Sequence, residues 1–98
     1  MGMKSDEALD LQYDDLTDYL GAKHSAYMEY AGQTYYLTDV NEQWWRAQDT
    51  AQLNEKGHYV DASELVSTAS EFVELPFLEG KSIRDVFTDA VFFASVKA

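Results

Sequence analysis

The sequence contains no cysteine, which excludes disulfide bonds, thiolate nucleophiles and cysteine-ligated zinc. No signal peptide is recognisable, because polar and acidic residues follow Lys4 where an apolar run would be needed. The longest apolar run, AVFFA at residues 90–94, is far too short to span a bilayer. We therefore expect a cytoplasmic protein without a membrane-spanning segment.

Basic residues are also scarce: 7 Lys and Arg stand against 18 Asp and Glu, which gives a net charge of −11. So strong a negative charge repels the phosphate backbone of nucleic acids and the headgroups of anionic membranes. We therefore expect neither a nucleic acid nor a membrane among the partners. The same charge either serves solubility alone or attracts a basic protein, and the sequence leaves both interpretations open.

The remaining composition is that of a folding chain, with 46% apolar and 14% aromatic residues. A length of 98 residues predicts a single domain over residues 1–98, with one core that needs no disulfide or metal. We expect residues 1–4 to be disordered or in part a cloning remnant.

Residues 5–21 favour a helix. Their apolar side chains recur at steps of four, three and four, as one helical face requires, at Leu9, Tyr13, Leu16 and Leu20. Ser5 is a natural N-cap, and Gly21 suits the end of the helix. The helix would carry a row of carboxylates on another face, formed by Asp10, Asp14 and Asp18. A strand over residues 8–13 is the alternative.

Residues 25–38 predict a β-hairpin with a type II′ turn at Gly32 and Gln33. Its core face would carry Met28, Tyr30, Tyr35 and Leu37, and its other face Tyr27, Glu29, Thr34, Tyr36 and Thr38. Two further extended runs cover residues 43–53 and 57–61, and the Gly-containing turn at residues 54–57 joins them.

A helix is expected next, because Asp61 and Glu64 resemble a capping box. This helix would end before Pro76, since the residue that precedes a proline avoids helical geometry. Residues 71–75 are also compatible with a fifth strand after a shorter helix.

Ser82 and Asp85 bracket the start of a last helix, whose apolar face Phe92 and Phe93 would widen. The predicted fold is therefore α+β: an N-terminal helix, a three- to four-stranded antiparallel meander, and two C-terminal helices packed mainly on one face of the sheet.

Adjacent aromatic residues indicate a candidate partner-binding surface. Neighbours on a strand face opposite ways, so we expect Trp45 in the core and Trp44 beside Arg46 on the outer face. Together with Tyr27 and Tyr36, these outer residues would form an open aromatic face with the composition of a binding hot spot. The other interpretation is that a second copy of the chain covers this face.

Residues that could bind a metal or act in catalysis do not occur in the sequence at the spacing of a known site. Three of them are spaced three apart without sharing a regular face, namely His58, Asp61 and Glu64. Residues 39–50 begin like a calcium loop, but Trp44 replaces the required glycine and Thr50 the required glutamate. No phosphate loop, dinucleotide fingerprint or nucleophile elbow is present. We expect no catalytic residue, no cofactor and no bound metal.

The sequence thus predicts a non-enzymatic interaction domain that binds a protein partner, or a second copy of itself, through the aromatic sheet face. A first alternative is an inhibitor, of the immunity or nucleic-acid-mimic kind, that presents the carboxylates of Asp10, Asp14 and Asp18 to a basic partner. A second alternative is a small-ligand-binding domain with an aromatic pocket.

Overall fold

The computed structural model describes residues 2–97, and the side chains of residues 4–95. These described residues form six strands, three helices and one 3-10 turn. These are β1 (Gly2–Ala8), α1 (Tyr13–Lys23), β2 (Ser25–Tyr30), β3 (Gln33–Val40), β4 (Trp44–Leu53), β5 (Tyr59–Asp61), α2 (Ala69–Val73), α3 (Ile83–Val86), the 3-10 turn (Phe87–Asp89) and β6 (Val91–Lys97).

The strands form one antiparallel sheet in the order β1-β6-β2-β3-β4-β5. The predicted fold is therefore wrong in its sheet and at both ends. The sheet has six strands rather than three or four, and each end of the described chain is a strand where a helix was expected. Strand β1 includes residues 2–4, which the sequence placed outside the ordered domain, and Met1 lies outside the described residues.

Strand β6 explains the error at the C-terminal end. It lies between β1 and β2, its adjacent residues Phe92 and Phe93 are buried on opposite faces, and its first four residues, VFFA, are apolar without alternation. Such a run cannot be distinguished from a buried helix by periodicity alone. Phe92 pairs with Met28 and faces the helices, whereas Phe93 pairs with Tyr27 and faces the opposite side.

The N-terminal helix exists but begins later than predicted. Ser5 is not its N-cap, because the chain is extended there, and Gln12 precedes the first turn and donates its N–H to the Asp15 carboxylate at 3.2 Å. The helix continues through Gly21 and ends at His24, whose φ of 65° is left-handed. His24 thus caps the C-terminus, and its N–H donates to the Leu20 carbonyl at 2.7 Å.

The β2–β3 hairpin has the predicted faces but not the predicted turn. Ala31 and Gly32 occupy the turn with φ of 53° and 81°, and Tyr30 pairs with Gln33. Two positive φ angles are the mark of a type I′ turn, which matches the twist of the strands it joins. The pairing differs from the expected one by two residues, and a shift of two leaves every side chain on its face.

The predicted helix over residues 61–75 is largely wrong. Asp61 belongs to strand β5, and a helix forms only at Ala69–Val73, where Thr68 Oγ1 accepts from the Glu71 N–H at 3.0 Å. This also excludes a strand over residues 71–75.

The capping box at Ser82 and Asp85 is confirmed, although the helix it opens is a single turn. The Ser82 N–H donates to Asp85 Oδ2 at 2.9 Å, and the Asp85 N–H donates to Ser82 Oγ at 3.2 Å. Hydrogen bonds from the backbone and side chain of Ser82 lower the pKa of the Asp85 carboxyl below its usual value.

One hydrophobic core lies between the helices and one face of the sheet. Its buried residues are Leu16, Leu20, Ala26, Met28, Leu37, Trp45, Ala47, Phe72, Val73, Leu78, Ile83, Val86 and Phe92. Trp45 is 7% exposed, and its ring stacks toward that of Phe72 at a centroid distance of 6.4 Å. Its neighbour Trp44 is 43% exposed, so the two tryptophans lie as the strand alternation predicts.

No helix between residues 2 and 97 has both the length and the apolar character that crossing a membrane requires.

The two tryptophans provide a matched test of the core. Trp45→Ala should lower the free energy of unfolding by about 3–5 kcal/mol, because it opens a cavity under Phe72. Trp44→Ala should change it by less than about 0.5 kcal/mol, because Trp44 lies outside the core. Urea denaturation followed by circular dichroism measures both. Losses of similar size in the two variants would contradict this packing.

Candidate functional site: a cleft on the second face of the sheet

The second face of the sheet, which the helices do not cover, carries an aromatic and polar row. The row takes one residue from each of five adjacent strands, in the order Phe93, Tyr27, Tyr36, Gln48 and Asp61. These residues are directly opposite one another in the antiparallel pairing, so their side chains are nearest neighbours. The row turns from apolar at β6 to polar at β5.

Three tyrosines close the centre of this face. The Tyr27 and Tyr36 rings lie 4.6 Å apart, and the Tyr59 ring packs edge-on against Tyr36 at 6.0 Å. The side chains of Tyr27 and Tyr59 also share a hydrogen bond. Burial, followed by that bond, raises the pKa of the Tyr27 hydroxyl far above its ordinary value. Tyr27 is only 3% exposed, so side chains of the sheet cover it without any helix.

The apolar end of the row is covered as well. The Lys4 ammonium lies 4.3 Å from the centre of the Phe93 ring and forms an ion pair with Glu29. The Tyr36 hydroxyl reaches back to within 3.5 Å of Ser95 Oγ. The broad aromatic face expected from the sequence is therefore closed from β1 to β3.

A cleft remains open at the other end of the row, where the β4–β5 hairpin folds over the sheet. Its volume is about 560 Å³, within the usual range of ligand sites, about 300–1,000 Å³. Its walls are formed by Tyr36, Thr38, Asp39, Arg46, Gln48, Asn54, His58, Tyr59, Val60 and Asp61.

A polar network forms one wall of the cleft. The buried Gln48 side chain donates from Nε2 to the Tyr59 carbonyl and to Asp61 Oδ1, each at 3.2 Å. Arg46 Nη1 lies 3.4 Å from the same Asp61 oxygen. Arg46 Nε is buried and has no hydrogen-bond partner among the described residues. The wall therefore presents a positive and a negative group side by side.

The hairpin that folds over the cleft is held by its own turn. Asn54 Oδ1 accepts from the backbone N–H groups of Lys56 and His58 at 2.9 and 3.1 Å. The Gly57 N–H donates to the Asn54 carbonyl at 2.9 Å, and Gly57 has a left-handed φ of 79°. This is the turn that the sequence predicts for residues 54–57. The pairing of β4 with β5 shifts between Asp49 and Leu53, which gives the hairpin its bend.

The structure separates the four aromatic-face residues that the sequence proposed as partner-binding. Tyr36 and Arg46 line the cleft, whereas Tyr27 is buried beneath Tyr36 and Tyr59. Trp44 is exposed but does not line the cleft.

The three proposed carboxylates lie elsewhere. Asp14 and Asp18 are exposed on α1, which packs on the other face of the sheet, and Asp10 lies in the segment before that helix. They do not form one helical row, because only two of them are helical.

Sequence reasoning missed Gln48, Tyr59 and Asp61 as site residues. The alternation of β4 placed Gln48 on the same face as Arg46, so that signal was present. Tyr59 and Asp61 reach the cleft through the irregular β4–β5 pairing, which no local pattern specifies. Asp61 was instead assigned to a helix cap that does not form.

Metal-binding side chains do not converge in the described part of the chain. No group of three His, Asp or Glu residues there has the geometry to hold an ion.

The tyrosine cluster predicts a specific response to alkaline pH. The pKa of the Tyr27 hydroxyl is higher in the folded state than in the unfolded state, where it is about 10. This difference stabilises the fold at pH values below the unfolded pKa, and the stabilisation is lost as the pH rises through the folded pKa. Tyr27→Phe removes this contribution, so its free energy of unfolding should fall less than that of the wild type between pH 8 and about 11. Tyr13, Tyr19 and Tyr35, whose pKa values are also raised, are common to both proteins. Parallel curves from denaturant unfolding would show that Tyr27 is not buried as described.

Comparison with protein-family models finds no match, and comparisons with curated proteins and with solved structures find no significant similarity. A function for this chain therefore has to be derived from the chemistry of the cleft.

Proposed function

We propose that the protein is a non-catalytic binding domain whose ligand occupies the cleft beneath the β4–β5 hairpin. The supporting observation is the convergence of two tyrosine rings and the Arg46–Asp61 pair on a cavity of about 560 Å³. Concave sites that combine ring surfaces with a few oriented polar groups are the usual form of small-ligand sites. Tyr27 and Phe93, the other aromatic residues of the row, are buried, which weakens the case for a flat protein-binding surface there.

The polar groups of the cleft suit the recognition of a ligand. Gln48, Arg46 and Asp61 engage one another through hydrogen bonds and an ion pair. Such mutual engagement fixes the side chains in place for recognition of a ligand. A cytoplasmic location is proposed from the absence of cysteine.

The cleft is tested by mapping small-molecule binding with amide chemical shifts. A fragment library spanning neutral, anionic, cationic and zwitterionic compounds should contain members that shift the signals of Arg46, Gln48 and Tyr59. Arg46→Gln should weaken those members about tenfold, the usual effect of losing a charged hydrogen-bond donor.

The control for that test is Arg84→Gln, which makes the same change at an exposed arginine paired with Glu74 on the helix side. It should leave binding unchanged. A library without any member that shifts the cleft signals, or with shifts that cluster elsewhere, would contradict the proposed function.

A protein partner is the second candidate, and the exposed Trp44 supports it. A tryptophan that is 43% exposed on a chain of net charge −11 suits a partner with an apolar pocket and a basic rim. The same surface would serve a second copy of the chain, although like charges oppose self-association.

Trp44→Ala separates these possibilities from the cleft. If Trp44 contacts a partner, its loss should weaken association with that partner by about tenfold or more, while cleft binding stays the same. Sedimentation velocity of the wild type and the variant measures self-association. Partner-binding curves that coincide for the two proteins would exclude Trp44 as a contact.

A further inference from the structure

The charges around the cleft restrict what can bind there. Asp61 is the carboxylate nearest to Arg46, at 3.4 Å, and the two form a pair of zero net charge. An anionic ligand would compete with Asp61 for Arg46 against the negative field of the whole chain. A cationic ligand would compete with Arg46 for Asp61. Asp39 presents little of its carboxylate to the cleft, because its side chain is only 11% exposed and lies 3.2 Å from His24 Nδ1. The arrangement favours an uncharged ligand.

The hydrogen-bonding capacity of the same pair points to hydroxyl groups. Asp61 is an acceptor and is about half exposed, whereas Arg46 is a donor and is partly exposed. A hydroxyl group both donates and accepts, so it can bridge adjacent groups of opposite kind. Neighbouring hydroxyls on one ring would satisfy Arg46 and Asp61 together, without breaking the contact between them.

The aromatic wall completes the pattern. The Tyr36 and Tyr59 rings meet at 70°, and both residues line the cleft beside the polar wall. The negative face of an aromatic ring attracts the partially positive C–H groups of a saturated ring. A ligand suited to the cleft therefore has a C–H face on one side and hydroxyls on the other.

We infer that the cleft binds a neutral saccharide, whose ring packs against Tyr36 and Tyr59 while its hydroxyls bridge Arg46 and Asp61. This inference rests on the proposed function, because it names the ligand class of the same cleft. A cavity of about 560 Å³ accommodates a sugar ring with room for a linked second unit.

The test uses sugars that share a ring but differ in charge. Glucose, galactose and mannose are each compared with their uronate, which adds a carboxylate, and with their 2-amino analogue, which adds an ammonium. Amide chemical shifts of the wild-type chain are followed during each titration. At least one neutral hexose should shift the signals of Arg46, Gln48 and Tyr59, and its two charged analogues should bind about tenfold more weakly.

Two variants test the roles of Arg46 and Asp61 in binding. Their readout is the order of preference among the sugars, which a loss of stability alone would not change. Asp61→Asn leaves Arg46 without its carboxylate, so the preference should move toward the uronate. Arg46→Gln leaves Asp61 without its guanidinium, so the preference should move toward the amino sugar. Asp18→Asn and Arg84→Gln make matching changes away from the cleft and should keep the wild-type order of binding.

The outcomes separate this inference from the proposed function. Charged analogues that bind as tightly as their neutral parent overturn the inference. Sugars that leave the cleft signals unchanged, while other library fragments shift them, overturn the saccharide and leave the proposed function standing. A cleft that no sugar and no fragment perturbs overturns both. If Asp61→Asn and Arg46→Gln bind the neutral sugar, the uronate and the amino sugar in the wild-type order, Arg46 and Asp61 do not have the roles assigned to them. That result also overturns the inference.

Discussion

The pairing of β6 with β2 is the contact on which both faces of this protein depend. It joins the C-terminal strand to the middle of the sheet, and it divides two adjacent phenylalanines between the faces. Phe92 enters the core beneath the helices, and Phe93 begins the row of side chains on the second face. Because one strand supplies both, a change in its register would disturb the core and the second face at once.

Tyrosine side chains from three different strands cover the second face. Tyr27 lies on a central strand, and Tyr59 reaches it from the strand at the far edge, with Tyr36 packed against both. This arrangement requires β5 to bend over the sheet, and the bend opens the cleft beside the tyrosines. The buried aromatic cluster and the open polar cleft are thus two results of the same bend in the hairpin.

The sequence specifies the faces of the strands better than it specifies the elements themselves. Alternation placed Trp45 inside and Trp44 outside, and it assigned the β2–β3 faces correctly despite a turn displaced by one residue. It failed for β6, because a strand covered on both sides carries no alternation.

Pairing between residues distant in sequence accounts for the other features that the sequence did not predict. The polar strand β1 is extended through its pairing with β6, a partner at the opposite end of the chain, which no local pattern reveals. The cleft was only half predictable: Arg46 and Tyr36 follow from alternation, whereas Tyr59 and Asp61 depend on the bend of the hairpin.

Tyr59 crosses over the sheet and closes it above Tyr36 and Tyr27. Nuclear Overhauser effects among the tyrosine ring protons measure this directly, since they report proton pairs in close contact. The ring protons of Tyr59 should show strong effects to those of Tyr36, whose ring centre lies 6.0 Å away. A Tyr59 ring with effects only to its own hairpin would leave Tyr27 uncovered, and the cleft as described would not exist.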